Sequence, residues 1–312
     1  MPLLQQAHAK AGIHKYTIEF DEETWRNLVQ FAGRGNIKDY IIHLLRREFA
    51  SVTVRAVILC GGQEREVAGT GIPVPKPMLP IHYRPVLEYT VHWLKEHGLS
   101  HLVLSTGGPH SELIKDYFLP RNIPGVEFEF TREETPLGTG GPVRVIQPQL
   151  KNTFIVINGD ILTNANLSAM LDAHRRNKAL GTIMLTPTGP QSPEESARFG
   201  TVSLKDDGTV TEYHEKEATH GQHINAGVYI FEPEIFPYLP QGGNFSMERD
   251  VFPRLVDRGL LRGWVMHKND YWLDVTDPND YARAWNDIMT GRLHIPGVNR
   301  TVPTTNGETA TA

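Results

Sequence analysis

Two aspartates, each just past an apolar run, are the residues of this 312-residue chain best suited to hold a divalent cation. Asp160 follows the run IVING, and Asp274 follows Trp272 and Leu273 and precedes a helix start at Pro278. Mg2+ takes one or two carboxylates and fills the rest of its shell with water and substrate phosphate, so two aspartates from separate strand ends could share one ion with a nucleotide. Features that bind phosphate accompany them. Gly61 and Gly62 end the first strongly β-branched run, where the missing Cβ atoms let a phosphate approach backbone N–H donors. Lys76 stands between Pro75 and Pro77, a single cation on a stiffened segment. In EETPLGTGGP, residues 133–142, Gly138, Gly140 and Gly141 admit a flat ligand closely. Glu133 or Glu134 there offers a carboxylate that could accept two hydrogen bonds from one base edge, and guanine presents adjacent N–H donors on such an edge. Lys216, in HEKEA, is a compact charge suited to a monophosphate. Asn225 in INAGVYIF and Glu248 in NFSMERDVFP are side chains of the kind that hold sugar hydroxyls.

These residues need a scaffold that gathers loop residues at one edge. The runs VRAVIL, HLVLST, VEFEF, TFIVIN and TIMLT are short and β-branched, and helical patterns such as PVLEYTVHWLKEHG and NLSAMLDAHRRNKALG separate them. Alternation of this kind predicts an α/β fold over residues 53–290, a Rossmann-like, mostly parallel mixed sheet flanked by helices, with ligands at the carboxyl ends of the strands. The candidate residues fall just after strands, as that architecture requires. Ahead of it, residues 1–52 read as a small strand-helix-helix appendage. Tyr16, Ile18 and Phe20 alternate in HKYTIEF, Asp21 caps a helix with Trp25, Leu28, Val29 and Ala32 at helical spacing, and Ile37, Ile41, Leu44 and Leu45 resume the pattern after GRGN. The unit resembles a ribbon-helix-helix, whose strand pairs with a second copy, and this gives a route to a homodimer or higher oligomer. Residues 291–312, rich in Pro, Thr and small residues, read as a flexible tail.

Bulk composition excludes other classes. A net charge of −5 and a pI near 6.3 argue against nucleic acid as the main partner, and Glu19 on the outward strand face agrees. One cysteine rules out an internal disulfide, and no run approaches the roughly 20 apolar residues of a membrane span. The expected compartment is the cytoplasm.

Taken in order, G-G at a strand end, P-K-P-M, P-L-G-T-x-G, N-G-D, E-K, I-N-A-G-V-Y and W-x-D resemble the sugar-1-phosphate nucleotidyltransferases. Within that family PLGTGGP, SMERDVFP and WLDVTDPNDY are most similar to mannose-1-phosphate guanylyltransferases. The resemblance implies condensation of a nucleoside triphosphate, GTP favoured, with a sugar 1-phosphate (mannose 1-phosphate or a similar hexose or cyclitol phosphate). It implies catalytic roles for Lys76, Arg65 and Lys216, and Mg2+ held by Asp160 and Asp274. Gly61, Gly62, Glu134, Gly138 and Thr139 would bind the nucleotide, and Asn158, Gly159, Glu215, Asn225, Gly227 and Glu248 the sugar. The chain departs from the pattern in its first loop. Where the family has G-G-x-G-T-R, residues 61–66 are GGQERE, so the family's phosphate-binding arginine becomes Glu66. In an active enzyme Arg65 would swing in from one position earlier with the glutamates facing solvent, or an unusual substrate would have relaxed the loop. The alternative is a catalytically impaired regulatory or nucleotide-sugar-binding subunit.

Overall fold

In the computed structural model, residues 6–10, 13–16, 19–32, 37, 54–62, 64–66, 73–190, 192–217, 221–298, 301–303 and 309–311 are described. They fall in two compact units, Met1–Thr53 and Val54–Ala312. In the first, β1 (Gln6–Lys10) and β2 (Ile13–Tyr16) form an antiparallel hairpin. The strand expected to seek a second copy therefore has a partner in its own chain, supplied by QAHAK, which carries no β-branched residue to announce it. The helix Glu22–Ala32 begins where Asp21 Oδ1 accepts the Thr24 N–H at 2.7 Å. The second helix expected from Ile37, Ile41, Leu44 and Leu45 lies outside the described residues, apart from Ile37 itself.

The larger unit is built on β3 (Arg55–Leu59). Its run Ala56-Val57-Ile58 is buried on both faces, as in a parallel sheet covered by helices. Two short ladders follow, β4 (Glu64–Glu66) with β5 (Pro73–Pro75) and β6 (Pro80–Ile81) with β7 (Arg84–Pro85), before the helix Val86–Glu96. Next come β8 (His101–Gly107), β9 (Glu127–Glu133), β10 (Phe154–Asn158), β11 (Ile161–Thr163) and β12 (Gly181–Leu185). The chain continues through β13 (Gly200–Leu204), β14 (Val210–Glu215), β15 (His223–Phe231), β16 (Leu261–Val265) and β17 (Trp272–Asp274). The sheet order is β14-β13-β15-β10-β3-β8-β9, with β12 pairing β15 and β16. From β10 through β3 and β8 to β9 the pairing is parallel, and β15 enters antiparallel beside β10 and β12. This is the mixed α/β sheet flanked by helices. Strand residues alternate between two cores, Ile58, Leu102 and Ile155 facing one and Val57, Val103 and Val156 the other.

Two irregular features bring the site together. The β11–β17 ladder pairs Ile161 with Asp274, and the Val275 N–H donates to the Asp160 carbonyl at 3.0 Å. Residues more than 100 positions apart thus share one short ladder, with Asp160 and Asp274 adjacent. In β15 the register against β12 shifts between Ile183 and Leu185, opposite Gly227 at φ +73°. A side chain there would be doubly excluded, since its Cβ would lie 2.9 Å from Asn158 Nδ2.

The segment expected as a flexible tail from 291 is packed over its first residues. Leu293, Ile295 and Val298 are buried in the first core, and Thr301–Pro303 (β18) pairs with Thr309–Thr311 (β19). Proline and glycine between the three apolar residues hid a packed segment behind a linker-like composition.

Candidate active site

The centre of the site is a cation between two carboxylates. Lys76 Nζ lies 2.5 Å from Asp160 Oδ2 and 3.5 Å from Asp274 Oδ1. It also donates to Thr276 Oγ1 at 3.0 Å, and that hydroxyl donates to Asp274 Oδ1 at 2.5 Å. The prolines flanking Lys76 open a single turn of tight helix, Lys76–Met78, which fixes the stem of the lysine. Burial alone would lower the lysine pKa, but Asp160 and then Asp274 outweigh it and raise the value. Burial and the charge of Asp160 push Asp274 up to about 6, against the pull of Lys76 and the Thr276 hydroxyl. Thr276 was not anticipated; its signal was the threonine two residues after Asp274 in DVTDP.

Two carboxylates meeting at one point are of the donor type that Mg2+ takes. Among the described residues no cluster of three or more His, Cys, Asp or Glu surrounds one point, so an ion here would take its remaining ligands from substrate and water.

At the carboxyl ends of β3, β8 and β9, the loops converge. A Cβ on Gly61 would meet Glu133 Oε1 at 2.9 Å, so glycine is what lets this strand end lie against the carboxylate. Glu133 is half-buried, its Oε2 accepting the Leu137 N–H at 3.0 Å, and burial raises its pKa against that bond and the Ser105 hydroxyl. Of the two candidates for a base-reading carboxylate, Glu133 faces the glycine loop, whereas Glu134 is exposed. Gly62, at φ +112°, has open space on its Cβ side.

The altered loop is tied down rather than solvated at Glu64. Its Oε1 accepts both the backbone N–H and the Nδ1 of His110, each at 2.9 Å, so the residue expected to face solvent clamps the loop to the one after β8. The side chains of Arg65 and Glu66 lie outside the described residues, and their backbone pairs with Val74 and Pro73.

The glycines of PLGTGGP serve packing. Cβ atoms on Gly138 and Gly140 would lie 2.3 Å from the Phe245 carbonyl oxygen and 2.2 Å from its ring, and two backbone bonds, Gly140 N–H to Phe245 O and Phe245 N–H to Leu137 O, join the segments. The space their side chains would occupy is taken by residues 243–247. Thr139, expected at the nucleotide, donates to Glu248 Oε2 and accepts the Met247 N–H at 2.9 Å.

Beyond this seam lies a chain of polar groups. Tyr213 and Glu215 share a face of β14, two residues apart, and the phenol donates to Glu215 Oε2 at 2.9 Å. Asn225 Nδ2 donates to both Tyr213 Oη (3.0 Å) and Tyr229 Oη (2.9 Å), while its Oδ1 accepts the Gly227 N–H at 3.0 Å. Tyr229 in turn donates to Glu248 Oε1 at 3.0 Å, and the Ser246 hydroxyl donates to Glu248 Oε2 at 2.6 Å. Burial, then the charge of Glu248, raises the Glu215 pKa against the Tyr213 hydroxyl, Lys216 and Arg249. Asn158 adjoins Gly227, and its buried Oδ1 has no partner among the described residues. Gly159 packs against Leu59, Pro77 and Cys60. Lys216 is exposed at the end of β14 with φ +56°, a strained value for a residue with a Cβ. The two tyrosines escaped notice because they read as strand apolars.

The pattern of the family described as Nucleotidyl transferase matches residues 55–291. Mannose-1-phosphate guanylyltransferase of Mycobacterium tuberculosis is 34% identical over 251 residues, 80% of this chain and 68% of that protein. D-glycero-alpha-D-manno-heptose 1-phosphate guanylyltransferase of Aneurinibacillus thermoaerophilus is 31% identical over 76% of this chain and 99% of its own length. UTP--glucose-1-phosphate uridylyltransferase of Synechocystis is also 31% identical, over 78% of this chain and 66% of its own. Among solved structures, HddC from Yersinia pseudotuberculosis complexed with GMP-PN superposes with a TM-score of 0.63 at 26% identity, covering 75% of this chain and 99% of that one. With a match over most of its length and relatives above 30% identity, the chain belongs to the nucleotidyl transferase family.

Proposed function

We propose that the protein is a sugar-1-phosphate nucleotidyltransferase that joins a nucleoside triphosphate, GTP favoured, to mannose 1-phosphate or a similar hexose, heptose or cyclitol phosphate. The observation that carries this reading is Lys76 set between Asp160 and Asp274 at the strand ends. In the reaction a phosphate oxygen of the sugar 1-phosphate attacks the α-phosphorus, the bond to the β-phosphate oxygen breaks, and pyrophosphate leaves. Two polyanions must meet, and at an effective dielectric near 20 each pair of unit charges 4 Å apart costs about 4 kcal/mol. Positioning and charge neutralisation therefore dominate. Lys76 binds the nucleotide phosphates, and Lys216, exposed at the end of β14, meets the sugar phosphate. Asp160 and Asp274 hold Mg2+, which screens phosphate charge when bound. Glu133 faces the base, and a carboxylate accepting two N–H donors favours guanine. Two of the three relatives named above are guanylyltransferases, which agrees with GTP. The single cysteine suits a reducing cytoplasm, and no described helix is long and apolar enough to cross a membrane.

The test is pyrophosphate release with Mg2+ across a matrix of nucleoside triphosphates and sugar 1-phosphates. A signal confined to GTP and one sugar supports the reading, and Asp160→Asn should abolish it. Nucleotide binding without turnover anywhere in the matrix would favour the regulatory-subunit alternative, which the altered 61–66 loop motivates.

A further inference from the structure

The hydrogens in the polar chain around Asn225 can be assigned one by one. Each phenol has one hydrogen. Tyr213 spends its own on Glu215 and Tyr229 its own on Glu248, so both phenol oxygens are free to accept, and each accepts one hydrogen of the Asn225 amide. Both amide hydrogens are then used, and the amide oxygen is held by the Gly227 N–H. The hydroxyls of Ser246 and Thr139 point into Glu248 as well. Every side-chain donor in this group is therefore directed at one of the two carboxylates or at a phenol that serves one. A carboxylate has about four lone-pair sites, which leaves about three on Glu215 and about one on Glu248 beyond the described bonds. Asn158 Oδ1, buried and unpartnered among the described residues, adds a further acceptor beside Gly227.

We propose that Tyr213, Asn225 and Tyr229 are positioning residues that present Glu215 and Glu248 as acceptor-only groups, so that the site selects a polyhydroxylated sugar or cyclitol phosphate by the hydroxyl hydrogens it donates. This rests on the sugar-1-phosphate reading and sharpens it. Asn225, expected to touch the sugar, instead acts through the phenols: it has no hydrogen left to give. A substrate bearing hydrogen, fluorine or a carbonyl oxygen where a donating hydroxyl is read would leave the remaining lone pairs of these carboxylates unfilled. Such a loss discriminates strongly, because a buried polar group is left unsatisfied.

The experiment measures binding of hexose 1-phosphates by calorimetry in the presence of Mg2+ and a nonhydrolysable nucleotide, for the full-length wild type and for Tyr229→Phe and Tyr213→Phe. A set of monodeoxyfluoro analogues, each with one ring hydroxyl replaced, is the probe. At the hydroxyls read by Glu215 and Glu248, fluorine should weaken wild-type binding about tenfold or more, the range expected for losing a hydrogen bond to a charged group. In Tyr229→Phe the parent sugar should itself bind about tenfold more weakly, and the fluorine penalty at one position should shrink, because Glu248 Oε1 loses the donor that aims it. Tyr213→Phe should do the same at a different position. Nucleotide affinity should stay within about twofold in both variants. Asn225→Asp, whose carboxylate draws both phenol hydrogens to itself, should lose more sugar affinity than either tyrosine variant. Fluorine tolerated at every position, or penalties unchanged in both tyrosine variants, would overturn the proposal while leaving the nucleotidyltransferase reading intact. Failure of the wild type to bind any sugar 1-phosphate would overturn both.

Discussion

Replacing Lys76 by methionine keeps most of the apolar stem, one atom shorter, and removes the ammonium charge and its donors between Asp160 and Asp274. At 2.5 and 3.5 Å and an effective dielectric near 20, the two attractions are about 7 and 5 kcal/mol before desolvation is subtracted. Much of that is offset by the cost of taking the ions out of water. Removing one member of a largely buried pair typically costs about 3–5 kcal/mol, since the survivors are left without a counter-charge. At pH 7.5 in the absence of Mg2+, Lys76→Met should therefore lower the unfolding free energy by that amount. The loss should shrink in acid. Asp274 is pushed up to about 6 even with the lysine present, above the ordinary 3.8, so the folded protein binds this proton more tightly than the unfolded chain does. At this group stability is highest below about 4 and declines as pH rises to 6, and losing Lys76 extends that decline upward. Mg2+ should restore part of the stability by occupying the same place, about 2.7 kcal/mol at a hundredfold excess over its dissociation constant. Urea unfolding at pH 5.0 and 7.5, with and without Mg2+, measures all three effects. A loss under about 1 kcal/mol that is the same at both pH values would refute the view that these carboxylates are held by the lysine.

Other expectations follow from separate parts of the site. Gly227→Ala places a Cβ 2.9 Å from Asn158 Nδ2 at φ +73°, and should cost about 1–2 kcal/mol in backbone strain alone, read as a lower urea midpoint; an unchanged midpoint would mean the β15 bulge is not needed. Glu215 has its pKa raised by burial and by Glu248, so sugar affinity should be full above that value and fall as pH drops through it, at a pH above the ordinary 4.5. For fold stability the sign is opposite, because the folded state holds that proton more tightly, and a titration of sugar affinity that stays flat from pH 8 to 5 would exclude an ionised Glu215 as acceptor. Glu64→Ala removes the acceptor of two His110 bonds and should raise the KM for nucleoside triphosphate with little change in the KM for sugar phosphate. An equal rise in both would show that the clamp does not act on the nucleotide loop.

The architecture was legible because apolar runs such as RAVIL and FIVIN are buried on both faces and cannot be mistaken for amphipathic helices. Lys76, Asp160 and Asp274 stood out for the same reason: each is a charge placed directly after an apolar or proline-stiffened run. What escaped was pairwise. Nothing local marks Thr276 as a partner of a lysine 200 positions away, and Tyr213 and Tyr229 alternate like core residues until their hydroxyls are seen to face each other across Asn225. Glycine was read for its freedom to approach a ligand, yet Gly138 and Gly140 are fixed by Phe245, a contact between segments more than 100 residues apart. The hairpin in the first unit was hidden because QAHAK has weak intrinsic strand preference, and its pairing is set by the neighbouring strand.

The seam between residues 137–141 and 243–248 bears on how this enzyme could be given new substrates. Because Phe245 fills the space above two glycines and Thr139 reaches across to Glu248, the stretch proposed for the nucleotide and the stretch proposed for the sugar are one mechanical part. A graft that imports a different sugar-facing segment alone would set a foreign side chain against glycines shaped for Phe245. Transplants should succeed when both stretches travel together, and nucleotide and sugar preferences should then change as a pair.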